Sequence, residues 1–271
     1  MNYELIDSGE GRRLERFGKY ILDRPDPEVM WSKNLREEEW KKADAKFIYD
    51  NWITKPNFSE KWLFEINNLK VNLKLTPFKH VGIFPEQEFE WNLISKSVKT
   101  DSNILNLFAY TGIASLHALE KGAKVTHVDA SRPAISWFNE NLKLNNLEDK
   151  PVRFIPEDCL KFVEREIKRG TKYDGIIMDP PVYGHGPHGE TWSFSKNLPN
   201  LLDKVLKLLS DTPLFVIINA YAVSTSPTTL ANMLQEKFNY LGGEVTSGEL
   251  TLKEKSAGRT LSTGIWAMWQ K

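Results

Sequence analysis

From residue 103 onward, short apolar runs alternate with stretches of helical spacing, the order of an open parallel sheet with right-handed crossovers. Strands are expected at 103–108, 124–128, 152–156, 173–178 and 213–219, and helices at 112–121, 132–145, 159–169, 196–210 and 227–240. Two more strands, at 244–252 and 263–269, flank the polar turn 253–259, so a final hairpin puts an antiparallel strand into the sheet. Upstream, WLFEINNLKVNLKLTPFKHVGIF alternates with a period of two. Asn67-Asn68 can close a hairpin there, with Leu69, Val71, Leu73 and Leu75 on one face and Lys70, Asn72 and Lys74 on the other. A helix is expected over 87–99. Residues 1–55 are weakly patterned: a hairpin around Ser8-Gly9-Glu10-Gly11, a proline-punctuated strip at 23–27, and a charged segment at 32–44 of helical character.

With 271 residues and 41% hydrophobic content, the chain can bury a core without disulfide or metal staples. Lys+Arg and Asp+Glu are each 36. This balance gives nucleic-acid binding no support from global charge, yet leaves room for a local basic face. Arg12, Arg13, Arg16 and Lys19 cluster on the first hairpin, but Glu10 and Glu15 interleave them, and a solvated face is the expectation. The single cysteine, Cys159, excludes an internal disulfide and fits a reducing compartment. The N-terminus carries no signal-peptide core, and no apolar run approaches the roughly 20 residues that span a bilayer, so a soluble cytoplasmic protein is expected.

Candidate chemistry sits at the ends of the expected strands. NILNLFAYTG, residues 103–112, reads as a buried strand followed by a tight turn pivoting on Gly112 into a helix. VTHVDAS ends the next run at Asp129, 17 residues beyond Gly112. PEDCL with Asp158 follows the third strand, and DPPVY, Asp179 to Tyr183, follows the fourth. In a doubly wound sheet the ligand lies outside the carboxyl ends of the strands, so these residues are placed to touch a nucleotide-shaped cofactor.

GIFPEQ (82–87), NLFAYTG, VDAS, PEDCL and MDPPVY occur in an order and spacing that resembles the class I S-adenosylmethionine-dependent methyltransferases. Within that superfamily the chain is similar to the catalytic domain of bacterial large-subunit ribosomal RNA base methyltransferases with a DPPxF or DPPxY loop. The resemblance covers about residues 75–271. It implies an α/β fold: a Rossmann-like, doubly wound, seven-stranded, mostly parallel sheet in a catalytic domain over 81–271, with a small β-rich extension over 1–80.

The resemblance implies S-adenosyl-L-methionine as cofactor, with Phe84, Gln87, Asn106, Phe108, Ala109, Tyr110, Gly112, Asp129, Ala130, Ser131, Asp158, Cys159 and Asp179 around it. Small Ala109 and Gly112 permit close backbone approach, while Phe108 and Tyr110 can wall the ligand. Asp129 can accept from both ribose hydroxyls or cap the next helix; Ser131 is the better cap, which favours the ribose role. Asp158 can accept from the adenine amine or cap the helix behind it. Glu86 or Gln87 can reach the methionine end.

Asp179, Pro180, Pro181 and Tyr183 are expected to carry catalysis. The prolines stiffen the turn, Asp179 accepts a hydrogen bond from the methyl acceptor, and Tyr183 stacks on a base. A cysteine nucleophile of the kind used for pyrimidine carbon 5 is absent from INAYAVSTSP after the fifth strand, so transfer to a base nitrogen fits better. Cys159 is read as a small buried residue.

The Gly-rich segment 184–195 reads as a flap, in which Trp192 and Phe194 either stack on a base or anchor the loop. His185 and His188 lack further ligands at metal spacing, and no metal is expected. Trp31, Trp62 and Trp91 read as packing residues. Transfer to a small molecule or protein side chain, and cofactor binding without turnover, remain the alternatives to RNA.

Overall fold

The structure, a computed structural model, describes residues 2–185 and 191–271. By its internal contacts the chain forms two units, Met1–Glu86 with Thr251–Thr263, and Gln87–Leu250 with Gly264–Lys271.

The first unit contains β1 (Tyr3–Gly9), β2 (Arg12–Phe17), β3 (Tyr20–Pro25), the short α1 (Glu37–Trp40), β4 (Ala45–Ile48), β5 (Asn51–Thr54), β6 (Lys61–Ile66) and β7 (Leu69–Lys74). β1 to β5 form one sheet in sequence order, and β6 and β7 pair separately as a hairpin. In β7, Leu69, Val71 and Leu73 are buried, as the alternation requires. The long helix expected over 32–44 is one turn in the structure, with Trp40 its only buried residue. A segment that offers one apolar side chain has no stripe to bury and gains little from helix formation. The sheet also holds β3, β4 and β5, which alternation does not announce, because its interior is partly ionic. Arg24 makes a two-pronged contact with the fully buried Glu15 (2.7 and 2.8 Å), to which the Tyr3 hydroxyl also donates. Arg12 pairs with Asp23, and Arg13 lies 3.2 Å from Asp26, so these two arginines are held in ion pairs within the sheet and do not form the solvated face expected of the cluster.

The second unit is an α/β layer. After α2 (Glu88–Ser97) come β8 (Asn103–Leu107), α3 (Ile113–Glu120), β9 (Lys124–Val128), α4 (Arg132–Leu144), β10 (Val152–Ile155), α5 (Cys159–Arg169) and β11 (Gly175–Met178). A short hairpin, β12 (Tyr183–His185) and β13 (Thr191–Ser193), precedes α6 (Phe194–Leu208), β14 (Phe215–Ala220), α7 (Pro227–Phe238), β15 (Glu244–Lys253) and β16 (Thr260–Gln270). The sheet order is β10-β9-β8-β11-β14-β16-β15. β10 through β14 run parallel, and β16 joins β14 antiparallel, giving the seven-stranded, mostly parallel sheet. Strand order proceeds outward in both directions from β8 and β11, so a switch point opens between their carboxyl ends. Leu105, Leu107, Ile176, Met178, Val216 and Ile218 pack on α5 and α6 through Phe162, Leu198 and Leu202. Burial on both faces explains why these strands read as continuous apolar runs.

Candidate active site at the strand tips

The loop after β8 turns through three positive φ angles in five residues. Phe108 and Tyr110 take positive φ (57° and 49°) and Gly112 follows at 81°. Side chains rarely adopt the left-handed region, and such strain concentrates where a loop is held for function. Hydrogen bonds hold it: Ala109 N donates to Val128 O (3.0 Å), Tyr110 N to Asp129 Oδ2 (2.8 Å), Phe108 N to Cys159 Sγ (3.3 Å), Gly112 N to Ala109 O (3.0 Å), and Asn141 Nδ2 to Thr111 O (3.1 Å). A Cβ on Gly112 would lie 2.1 Å from Phe138 Cδ2, so packing as well as φ requires glycine there.

Beneath the loop, Asn106 Nδ2 donates to Ser115 Oγ (3.0 Å), which shares a hydrogen bond with His127 Nδ1 (3.1 Å). Asn106 therefore turns into the core under the loop. Burial holds the His127 imidazole down to about 3, so the ring stays neutral at ordinary pH.

Asp129 follows β9. Its Oδ2 accepts from Tyr110 N and its Oδ1 from Ser131 N (2.8 Å), while the helix cap falls to Ser131, whose Oγ accepts from Ala134 N (3.3 Å). Burial pushes the Asp129 carboxyl up, and the two amides pull it back. Each carboxylate oxygen has a second acceptor site, so two ligand hydroxyls can still be received. Asp158 caps α5 through Oδ1, which accepts from Lys161 N (3.0 Å). Cys159 is buried, and burial pushes its thiol up, away from the thiolate a nucleophile needs.

Asp179 follows β11, and its Oδ2 accepts from Gln87 Nε2 (2.9 Å). Pro180 is buried and Pro181 exposed; the Trp192 indole donates to Pro181 O (2.6 Å) and lies 5.1 Å from the Phe108 ring. Trp192 and Phe194 are buried (5% and 6% exposed), which makes them anchors of the β12–β13 hairpin, with Trp192 also a wall of the site. Tyr183 is 60% exposed. Most of the expected flap, His188 included, falls on 186–190, outside the described residues.

One cavity of about 410 Å³ collects these groups: Phe108, Asp129, Ala130, Ser131, Asp158, Cys159, Asp179, Pro181, Gly184 and Trp192 line it. Among the described lining residues three are carboxylates, and none is lysine or arginine. Phe84 belongs to the first unit, its ring 5.3 Å from that of His80. The sequence pattern does not reveal Tyr221, one residue past β14, whose hydroxyl also accepts from Gln87 Nε2 (2.9 Å). Its signal is only positional, an aromatic at the tip of the strand next to β11.

The family model for S-adenosylmethionine-dependent methyltransferases matches residues 45–234, well over half of the chain. The chain belongs to this family. Over its full length it is similar to the crystal structure of a SAM-dependent methyltransferase from Agrobacterium tumefaciens, with 39% identity, a TM-score of 0.96 and 90% of that chain covered. A putative methyltransferase solved with S-adenosylhomocysteine, SMU.776, shares the fold at 18% identity and a TM-score of 0.71, over 96% of this chain and 71% of that one.

Among curated relatives, ribosomal RNA large subunit methyltransferase K/L of Shewanella sp. (strain MR-4) is 35% identical over 153 residues, 55% of this chain and 21% of that protein. The same-named protein of Pseudoalteromonas atlantica is 38% identical over 145 residues, 53% and 20% of the respective lengths. The chain thus spans about a fifth of the curated relatives it matches.

The cavity suits the cofactor of this methyltransferase family. Its volume falls within the range of small-molecule sites, and its carboxylates favour a ligand that carries a sulfonium and an ammonium. When bound, S-adenosyl-L-methionine supplies an electrophilic methyl group. Among the described residues, no cluster of His, Cys, Asp and Glu could hold a metal ion, and no helix is long and apolar enough to cross a membrane.

Proposed function

We propose that this methyltransferase modifies a base nitrogen of RNA, with ribosomal RNA as the leading substrate. The observation that carries the reading is the convergence of Asp129, Asp158, Asp179 and Pro181 with Phe108 and Trp192 on one cavity at the switch point of the sheet. Asp129 would receive the ribose hydroxyls and the second oxygen of Asp158 the adenine amine, with small Ala109 and Ala130 allowing the cofactor close approach, while Gly112 serves the turn packed on Phe138. Asp179, on a turn stiffened by Pro180 and Pro181, would accept from an N–H of the base, and exposed Tyr183 would stack on it. These residues orient a methyl transfer that needs no covalent adduct, so alignment and electrostatics are the protein's contribution.

Two further points support nitrogen and RNA. The only cysteine is buried, with its thiol raised, which disfavours thiol-dependent carbon methylation. The names of the curated relatives refer to large-subunit ribosomal RNA. In this reading residues 81–271 form the catalytic domain, 1–80 an extension to it, and the enzyme works in the cytoplasm.

The test is transfer of labelled methyl from S-adenosyl-L-methionine to total RNA, metabolites and protein extracted from a strain lacking the gene. Label in RNA is expected, and Asp179→Ala should abolish it with cofactor affinity retained. Label confined to metabolites or protein would overturn the RNA assignment, and no transfer to any pool would favour a binder without turnover.

A further inference from the structure

We infer that Gln87 and Tyr221 are positioning residues for the acceptor-facing carboxylate Asp179, and that they act on the acceptor rather than on the cofactor. The inference rests on the reading above. Gln87 Nε2 donates at once to Asp179 Oδ2 and to the Tyr221 hydroxyl, each at 2.9 Å. A carboxylate on a loop can rotate about two bonds, and a donor fixed at one oxygen removes that freedom. The amide is neutral, so it orients Asp179 without cancelling its charge.

A second polar pair lies close by in sequence: Gln87, the N-cap of α2, stands three residues before Glu90, and Tyr221, one residue past β14, stands two residues after Asn219. Glu90 Oε2 accepts from Asn219 Nδ2 at 2.9 Å, and both side chains are buried. The paired spacings make a two-step polar ladder, Glu90 to Asn219 below and Gln87 to Tyr221 above. Register supplies the third side: Met178 pairs with Ile218, so Asp179 leaves the sheet beside Asn219 and one step from the upper rung. The Asn219 Oδ1 has no hydrogen-bond partner among the described residues although the residue is 1% exposed.

The test is a double-mutant cycle of Gln87→Leu and Asp179→Asn, with kcat read by labelled-methyl transfer to whichever extracted pool the wild type labels. Failure of the RNA reading then shows as label in another pool, where the cycle is run in the same way. Loss of one hydrogen bond to a charged group predicts a fall in kcat of about 10- to 100-fold for Gln87→Leu. In the Asp179→Asn background the same change should cost about twofold or less, because the carboxylate charge that Gln87 orients is gone. Affinity for S-adenosylhomocysteine, by titration calorimetry, should stay within about twofold of wild type. Tyr221→Phe, which removes an oxygen and almost no volume, should lower kcat in the same direction and also leave that affinity in place. Losses that multiply in the double variant would overturn the inference, as would weakened S-adenosylhomocysteine binding with kcat intact.

Discussion

Replacing Gly112 by alanine tests whether the cofactor loop is held as tightly as its geometry indicates. Two costs are separable. The residue sits at φ 81°, where an L side chain costs about 1–2 kcal/mol. The added Cβ would also fall 2.1 Å from Cδ2 and 2.6 Å from both Cε2 and Cγ of Phe138, a fully buried ring stacked on His127 at 4.0 Å. Overpacking of this kind costs about 1–3 kcal/mol. Together they predict a loss of about 2–5 kcal/mol, and a fall in Tm of roughly 5–15 °C by calorimetry for a protein of this size. The steric part should be relieved by Phe138→Leu: measured against that single variant, Gly112→Ala should lose only about 1–2 kcal/mol. A Gly112→Ala protein melting within about 2 °C of wild type, or an equal penalty in both backgrounds, would refute the reasoning.

Asp129→Ala removes the acceptor for Tyr110 N and Ser131 N as well as the proposed ribose contact, and should weaken S-adenosylhomocysteine binding about 10-fold or more in calorimetric titration. Cys159→Ala should retain methyl transfer within about threefold, since a buried thiol held above its ordinary range serves as packing; loss beyond tenfold would point to thiol chemistry. Burial holds His117 at about 4 and His127 at about 3, both below the ordinary imidazole value of 6.5. The unfolded chain therefore takes up these protons first, and their stabilising effect is complete above pH 6.5 and lost as pH falls toward 4 and 3. Each should cost about 2 kcal/mol between pH 7 and pH 5 in denaturant titrations, and His127→Gln should flatten that slope.

The parallel sheet was legible because burial on both faces leaves runs such as ILNL and GIIM almost free of charge, and because three of its helices are punctuated by chemistry that acts locally. Ser131 and Asp158 cap α4 and α5, Ser226 caps α7, and Gly170 ends α5 in the left-handed region. The N-terminal sheet was harder to read for the opposite reason. Glu15, Asp23 and Arg24 are buried in β2 and β3 as ion pairs, and a two-residue alternation cannot reveal a charge satisfied by a partner on another strand. The charged segment at 32–44 suggested a helix on composition alone, without the apolar stripe that would have secured more than the turn at Glu37–Trp40.

At the site, Asp129, Asp158 and Asp179 were visible because they follow the carboxyl ends of strands, where a side chain meets the ligand cleft. Asn106 occupies the same stretch, but strand alternation turns it toward Ser115. Trp192 and Tyr221 enter through packing and hydrogen bonds across distant segments, which no local pattern encodes.

The most direct test of the account is a crystal structure of the protein with S-adenosylhomocysteine. The ligand should lie across the tips of β8, β9, β10 and β11, with its ribose hydroxyls within hydrogen-bond distance of Asp129, its adenine beside Asp158 and its sulfur toward Asp179. Density outside this cavity, or a ribose out of reach of Asp129, would contradict it.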